Sequence, residues 1–433
     1  MYSCGPTVHA RMHLGECRRF IFADLLCRYL EFKNYSTTQI INITDLDDKT
    51  IEASETQGVD HYKFTEANMI LFKKDLELLR IKPASSYPKV SEHIDDMVSL
   101  TEKLIDKGFA YEKHKSIYFD ISSFPEYGKL SGVDLDKIKV GHTVDLEDYE
   151  KNNPKDFTLL KKTKLSELKR GIFVKTKWGN IRPSLHIQCA AISTKYLGVS
   201  FDIHTSSREL IFPHHENEIA IVQAVNNKPL AKYWIHCDRV LVDGKKIDEK
   251  STRVTLKDLT DLNYTGREIR YWLISGHYRK PLAYSEDRLK ETKKFLKRLD
   301  QCTHGLLNIK DGKSDKKVDK IIKELETGFT SAMDDDLNIA VAIASVFKVV
   351  KKLNPLINAN KIDKDRAAKL IEVFRNIDSV LQVFDFDSKY SDPAVQYLLQ
   401  ERIKARAEKN WNKSDKIREH LKSYGIFVQD EKS

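Results

Sequence analysis

The sequence predicts an α/β fold in front and a helical region behind, on three observations. "CGPTV" at 4–8, "RRFIFADLLCRYLEF" at 18–32 and "STTQIINITDLDD" at 36–48 read as strand, turn, helix and strand. That succession within roughly 45 residues is the βαβ rhythm of a parallel sheet. Between about 112 and 184 the texture turns Lys-rich and turn-rich, as in "SSFPEYGKLSG" and "KNNPKDFT", and marks an inserted module. From about 284 onward few Gly or Pro interrupt helix-compatible sequence.

Each element has its own signal. Apolar residues at three- and four-residue spacing make 18–32 an amphipathic helix. The β-branched run at 36–48 closes on acids, as at the carboxyl end of a buried strand. Helices are expected near 64–80 and 92–108. After the insertion, "LHIQCAAISTKYL" restores a helix and "SFDIHTSS" a strand.

At 433 residues the chain is long enough for two to four domains. Its hydrophobic share of 41% and charged share of 32% describe a well-wetted globular protein. No apolar run approaches the roughly 20 residues of a membrane span, and no signal peptide is expected. Six cysteines, unevenly spread, do not form a disulfide framework, so a cytoplasmic, reduced setting is expected, with any special Cys a metal ligand. The net charge of +9 fits either a polyanionic partner or a merely Lys-rich background. Bases crowd 289–299, 313–323 and 401–422, mostly as solvated helix faces, and the last run adds Trp411.

Two stretches carry candidate chemistry. "HLGE" at 13–16 opens a helix with His13 and Gly15, which suits phosphate, whereas Glu16 is an awkward neighbour for one. "FPHHENE" places His214 and Glu218 at i and i+4 on one helix face, with His215 and Glu216 expected to point elsewhere. An imidazole and a carboxylate so placed suit zinc, or simply a polar, capped helix start. Adding Cys4 and Cys189 gives two thiols, one imidazole and one carboxylate, too dispersed in sequence for a finger-type pattern.

With "CGPTV", "HLG", "NITDLDDK", "YGKLSG", "HIQCAA", "FPHHENEIA", "GREIRYWLISGHYRKPL", "DDDLN" and "ARAEKNWNKSDKIREHL" in this order, the chain resembles the cysteinyl-tRNA synthetases, class I aminoacyl-tRNA synthetases, over practically its full length. The resemblance implies a Rossmann-like catalytic domain at 1–111 and 185–236, split by a connective insertion at 112–184. It further implies a stem-contact segment at 237–290, a helical bundle at 291–388 and a small anticodon-binding domain at 389–433. The implied activity is ATP-dependent attachment of cysteine to tRNA(Cys) through a cysteinyl-adenylate. One zinc per subunit, at Cys4, Cys189, His214 and Glu218, would select the substrate thiolate, and ATP would come with Mg2+. His13, Gly15, Glu16, Lys246 and Lys250 are the implied catalytic residues. ATP would meet His13, Gly15, His204, Glu209 and Lys250, and the amino acid Gly5, Thr7 and Leu185. Arg402, Arg406, Trp411 and Arg418 would contact tRNA. A monomer without membrane attachment is expected.

Departures from the family's pattern gather at the ATP site. Glu16 stands where the family has His or Asn, and Arg18 or Arg19 are expected to neutralise it. The loop "KKIDEKSTR" replaces the usual lysine signature and adds Asp248 and Glu249. Thr205, Ser206 and Ser207 stand in a bend where Gly is usual. Two other readings therefore stay open: a cysteine-activating ligase with another acceptor, and a non-catalytic zinc- or tRNA-binding relative.

Overall fold

A parallel sheet of very short strands carries the front of the chain. The computed structural model describes residues 1–134, 151–247, 253–310, 316–386, 393–408 and 410–423. They belong to two units, Met1–Leu259 with Tyr278–Ser285, and Thr260–His277 with Glu286–Ser433. The expected stem-contact segment thus has residues in both. Among the described residues no helix is long and apolar enough to cross a membrane.

The first unit starts with β1 (Tyr2–Ser3), α1 (Leu14–Phe32), β2 (Ile40–Ile41), α2 (Asp48–Thr56), α3 (His61–Leu78) and α4 (Ile94–Asp106). Helices α3 and α4 lie where the periodicity predicts them. The insertion contributes β3 (Ala110–Lys113), β4 (Ser116–Phe119), β5 (Phe157–Lys162), α5 (Leu165–Lys169), β6 (Val174–Thr176) and β7 (Gly179–Pro183). Then come α6 (Leu185–Leu197), β8 (Phe201–Ser207), α7 (Glu216–Asn226), β9 (Ala231–Cys237), β10 (Val240–Val242) and β11 (Lys245–Lys246). Helix α8 (Leu256–Asp261) follows.

The main sheet runs β2-β1-β8-β9, every neighbouring pair parallel. From β1 the chain first passes to β2 on one side, and β8 arrives on the other. Connections that diverge at one strand leave a crevice outside the carboxyl ends of the strands. The segments that leave the ends of β1, β2, β8 and β9 all contribute to the cleft described below. The run at 36–48 pairs over only two residues, Ile40 and Ile41; single bridges at Ile43 and Thr44 continue it irregularly.

Helix α1 is tied down by Arg18. Its guanidinium donates to the carbonyls of Asp238, Arg239 and Lys280, each at 2.9 Å, and is buried. The expectation that Arg18 neutralises Glu16 therefore fails, because its charge is spent on backbone oxygens on the far side of the helix. The insertion forms an antiparallel sheet, β3-β4-β5-β7-β6. Buried Arg182 on β7 joins Glu167 at 2.9 Å and Asp48 at 2.7 Å, fastening the module to α2. Glu216 accepts the backbone N–H of Gly128 at 3.1 Å and of Ser131 at 2.6 Å. Part of the "FPHHENE" motif thus holds the insertion.

Helix α9 (Gly266–Ile274) belongs to the second unit, and β12 (Leu282–Tyr284), which pairs with β10, to the first. The second unit continues through α10 (Glu286–Leu307), α11 (Lys317–Asp334), α12 (Ile339–Asn358) and α13 (Lys364–Leu381) to α14 (Pro393–Ala407) and α15 (Trp411–Ser423). Leu296, Leu299, Phe329, Val349 and Phe374 are buried in the bundle. Val395, Ile417 and Leu421 form a small core between α14 and α15.

Candidate active site

A cavity of about 490 Å³ opens at the carboxyl ends of the parallel strands. Cys4, Gly5 and Thr7 enter it after β1, Asn42 and Thr44 after β2, Ser207 and Glu209 from β8 onward, and Arg239 after β9. His13, Gly15 and Glu16 come from the start of α1, and Leu185 and Cys189 from α6. The cavity therefore gathers Gly5, Thr7, His13, Gly15, Glu16, Leu185, Glu209 and Lys246 of the expected site residues. Lys250, with Asp248 and Glu249, lies outside the described residues.

Gly5 is required by close approach rather than by a positive φ. A Cβ there would sit 1.4 Å from the carbonyl oxygen of Asn42. The Gly5 N–H donates to Asn42 Oδ1 at 2.7 Å, and the Tyr2 hydroxyl donates to the same atom at 2.9 Å. Asn42 thus fixes the turn that presents Cys4. Sequence reasoning passed over it, although it sits in the quoted "NITD" run.

Glu16 has a structural explanation. His13 is the N-cap of α1 and its Nδ1 accepts the Gly15 N–H at 3.1 Å, while Glu16 Oε2 accepts the His13 N–H at 3.1 Å. This reciprocal capping box satisfies N–H groups that the first helical turn leaves unpaired. With Nδ1 an acceptor, the neutral imidazole of His13 carries its proton on Nε2. Burial shifts the His13 pKa downward, favouring that neutral form. Glu16→Ala is expected to destabilise the first unit by about 1 kcal/mol, whereas Glu16→Gln should unfold like the parent. Denaturant melts of the two variants check this; equal losses would refute the cap.

The deepest part of the cleft is a nest of buried thiols, imidazoles and one carboxylate. In two groups the potential ligand atoms all lie within 4.8 Å of one another: Cys4, Cys189, His214 and Glu218; and Cys4, His204, His215 and Glu218. His214 Nε2 is 3.1 Å from Glu218 Oε1, and Cys4 Sγ is 3.9 Å from the same oxygen. His215 Nε2 lies 3.6 Å from Cys4 Sγ, so His215 points into the nest rather than away from it as expected.

The first group faces the cavity through Cys4, Cys189 and His214; of the second group, the shared Cys4 alone does. The other histidines stand behind it. His204, fully buried, reaches Glu218 Oε2 at 3.1 Å and is absent from the cavity wall, so the structure does not bring this expected ATP residue to the cleft. The reason is alternation along β8, which sends its side chain into the nest. His186 Nδ1 meets His214 Nδ1 at 2.9 Å, and His236 Nε2 meets His215 Nδ1 at 2.9 Å. Partners on the far nitrogen or oxygen orient a ligand toward a metal.

Electrostatics suit a cation. Burial pushes the Cys4 thiol up, but the Cys189 hydrogen bond and the His204 charge outweigh it, so Cys4 lies well below its ordinary value. Cys189 is held well above it by the Cys4 hydrogen bond and by burial. His204 rises to about 9: burial opposes this, while Glu218 and Cys4 outweigh it. Two soft thiols, an imidazole and a carboxylate, buried together, form a donor set that fits zinc.

In the bend where the resemblance implies glycine, two of the three side chains do not face the cleft. Thr205 and Ser206 are fully buried and absent from the cavity wall, which leaves only Ser207 facing it. Lys246 Nζ stands 3.1 Å from Glu209 Oε1, with Arg239 Nε 3.7 Å from that oxygen. Asp47, Lys49, Arg239 and Arg253 also line the cavity and were not singled out in the sequence. Only spatial assembly marks them.

Of the expected tRNA contacts, Trp411 is 49% exposed, with the Arg406 guanidinium 5.5 Å above its ring. At that exposure Trp411 is not a core residue. Arg418 is half-buried beside Asp415 at 3.3 Å. Arg402 is buried, which takes it from the surface where a polyanion would lie.

Parallel strands split by an insertion, with the cleft at their carboxyl ends, define a class I aminoacyl-tRNA synthetase. The description "tRNA synthetases class I (C) catalytic domain" matches residues 1–294, "DALR domain" 328–385 and "Cysteinyl-tRNA ligase anticodon binding domain" 391–433. The cysteine--tRNA ligase of Methanosarcina mazei is 38% identical over 440 residues, covering 100% of this chain and 93% of that protein. That of Pyrococcus horikoshii is 39% identical over 445 residues, covering 99% and 92%. The chain belongs to the cysteine--tRNA ligase family. Solved structures agree in fold alone. Mycobacterium tuberculosis methionyl-tRNA synthetase bound by methionyl-adenylate gives a TM-score of 0.63 at 12% identity, covering 88% of this chain and 92% of that one. The LeuRS–tRNA–LeuAMS complex of Agrobacterium radiobacter K84 gives 0.65 at 10%, covering 88% and 84%.

Proposed function

We propose that the protein joins cysteine to tRNA(Cys) at the expense of ATP, through a cysteinyl-adenylate, with zinc held by Cys4, Cys189, His214 and Glu218. The observation that carries this reading is the convergence of those four side chains, three of them in the wall of a cavity that His13 and Lys246 also line. Cysteine and serine are near-isosteres, which a shaped pocket separates poorly. Bound zinc supplies a strong preference for a thiolate over a hydroxyl.

The remaining work falls to the chain itself. Thr7 and Leu185 border the space beside the ligand set and would flank the amino acid. Its carboxylate oxygen attacks the α-phosphorus of ATP, the bond to pyrophosphate breaks, and pyrophosphate leaves with the electron pair. The terminal ribose hydroxyl of tRNA then attacks the cysteinyl carbonyl and AMP departs. Positioning and charge stabilisation carry such a transfer. The Nε2–H of His13 and the Lys246 ammonium are the donors assigned to the phosphates. Lys246 exchanges Glu209 for phosphate, leaving Glu209 to accept from the nucleoside. The proposed working unit is a monomer. Cysteine-dependent exchange of pyrophosphate into ATP tests the reading. Its absence from zinc-loaded protein in the presence of tRNA would reject it.

Exposed Trp411, with Arg406 above it, is assigned to an anticodon base, and Arg418 to phosphate. Trp411→Ala is expected to weaken tRNA(Cys) binding by roughly 1–3 kcal/mol, about 5- to 150-fold in Kd. Filter binding across a salt series checks it. Arg418→Ala should flatten the salt slope, while Trp411→Ala should leave it unchanged.

A further inference from the structure

Resting on the reading above, we propose that Arg253 is a phosphate-contacting residue of the ATP site, a cation of the cavity wall additional to Lys246. Both residues line the cavity, and they approach it from different backbone supports. Lys246 ends the short antiparallel pair of β10 and β11. Arg253 belongs to a segment laid against the residues that precede α1. The Leu14 N–H donates to the Val254 carbonyl at 2.9 Å, Thr255 forms an antiparallel bridge with His13, and the Leu256 N–H donates to the Met12 carbonyl at 3.4 Å. One end of the Arg253 guanidinium donates to the Arg11 carbonyl at 2.7 Å. The charge is thereby held beside His13, and part of the downward pKa shift of His13 comes from Arg253.

Three other cavity cations, Lys246, Arg239 and Arg19, are differently placed. Lys246 and Arg239 both face Glu209 within 4 Å, so a phosphate must compete with a carboxylate for them. Arg19 is buried and donates to the Cys4 carbonyl. Arg253 is half-buried, and among the described residues no carboxylate lies within ion-pair distance of it. A guanidinium tethered at one nitrogen and facing a cavity is preorganised for phosphate, at little further ordering. When the bond from the α-phosphorus to pyrophosphate breaks, the leaving oxygens gain charge, and Arg253 donates to them.

The test compares parent, Arg253→Ala and Arg253→Lys for the affinity of ATP and of adenosine, for pyrophosphate exchange and for thermal melting. For Arg253→Ala we expect ATP affinity to fall about ten- to a hundredfold with adenosine affinity unchanged. Exchange should fall about 10²- to 10³-fold. Arg253→Lys should lie between, keeping charge without the fork. Unchanged ATP affinity and exchange in Arg253→Ala would overturn the assignment. So would a parallel fall of adenosine affinity and melting temperature, the mark of a merely structural role. If the parent binds ATP through Arg253 yet catalyses no exchange, the enzymatic reading falls and the phosphate assignment stands. If exchange is robust and indifferent to Arg253, the reverse holds.

Discussion

Cys189→Ser is expected to purify almost without zinc, where the parent carries one ion per chain. Cys4 and Glu218 belong to both possible ligand groups, so changing either cannot say which group holds the ion. Cys189 and His214 belong only to the group that faces the cavity; His204 and His215 belong only to the one behind it. Loss of a thiolate removes one of four bonds and leaves a hydroxyl that is a poor donor for zinc. His204→Gln, which alters the surroundings of Glu218 and Cys4 but removes no ligand of the cavity-facing group, should retain the ion with affinity lowered about 10- to 100-fold. Elemental analysis of the purified variants reads both outcomes. Zinc kept in Cys189→Ser and His214→Ala but lost in His215→Ala would move the ion to the inner group. Discrimination against serine in the exchange assay should collapse together with the zinc.

Gly5→Ala should be the most damaging small substitution in the first unit. Its added Cβ would fall 1.4 Å from the Asn42 carbonyl oxygen, a separation no side-chain rotation can relieve because both groups are backbone. The paired strands flanking the contact, Tyr2 with Ile40 and Ser3 with Ile41, would have to part. Ordinary overpacking costs about 1–3 kcal/mol, and a backbone clash beside the ligand Cys4 should exceed that. Gly58 offers the control. It has φ +64° with open space around its Cβ position, so Gly58→Ala meets only the left-handed strain of roughly 1–2 kcal/mol. Thermal melts monitored by circular dichroism should show a far larger loss for Gly5→Ala, accompanied by lost zinc. A Gly5→Ala melting temperature equal to that of the parent would contradict the close approach.

Local chemistry was legible without coordinates. His214 and Glu218 share a helix face at i and i+4, and α3 and α4 lie near their expected bounds, whereas α1 is buried on every side from Cys17 to Cys27 rather than on the one face its spacing suggests. The lysine-rich change of texture marks the insertion. The capping role of Glu16 was also within reach, since a polar N-cap followed three residues later by Glu is a local pattern. Attention to phosphate hid it.

Tertiary structure decided the rest. Strands of two residues leave little period to read, and parallel strands are joined through long crossovers, so pairing partners are remote in sequence. Hence β1 could not be seen to lie between β2 and β8, and Asn42 could not be seen to hold the Gly5 turn. Alternation along β8 turned His204 toward Glu218 and Ser207 toward the cleft, a choice of side that depends on register. Burial took Arg18 for three carbonyls and withdrew Arg402, because a charged group removed from water must find partners where the chain packs. The sequence by itself determined which donor side chains and which helices the protein has. Which face of each strand meets the cleft, and which cations line it, followed from packing distant segments together.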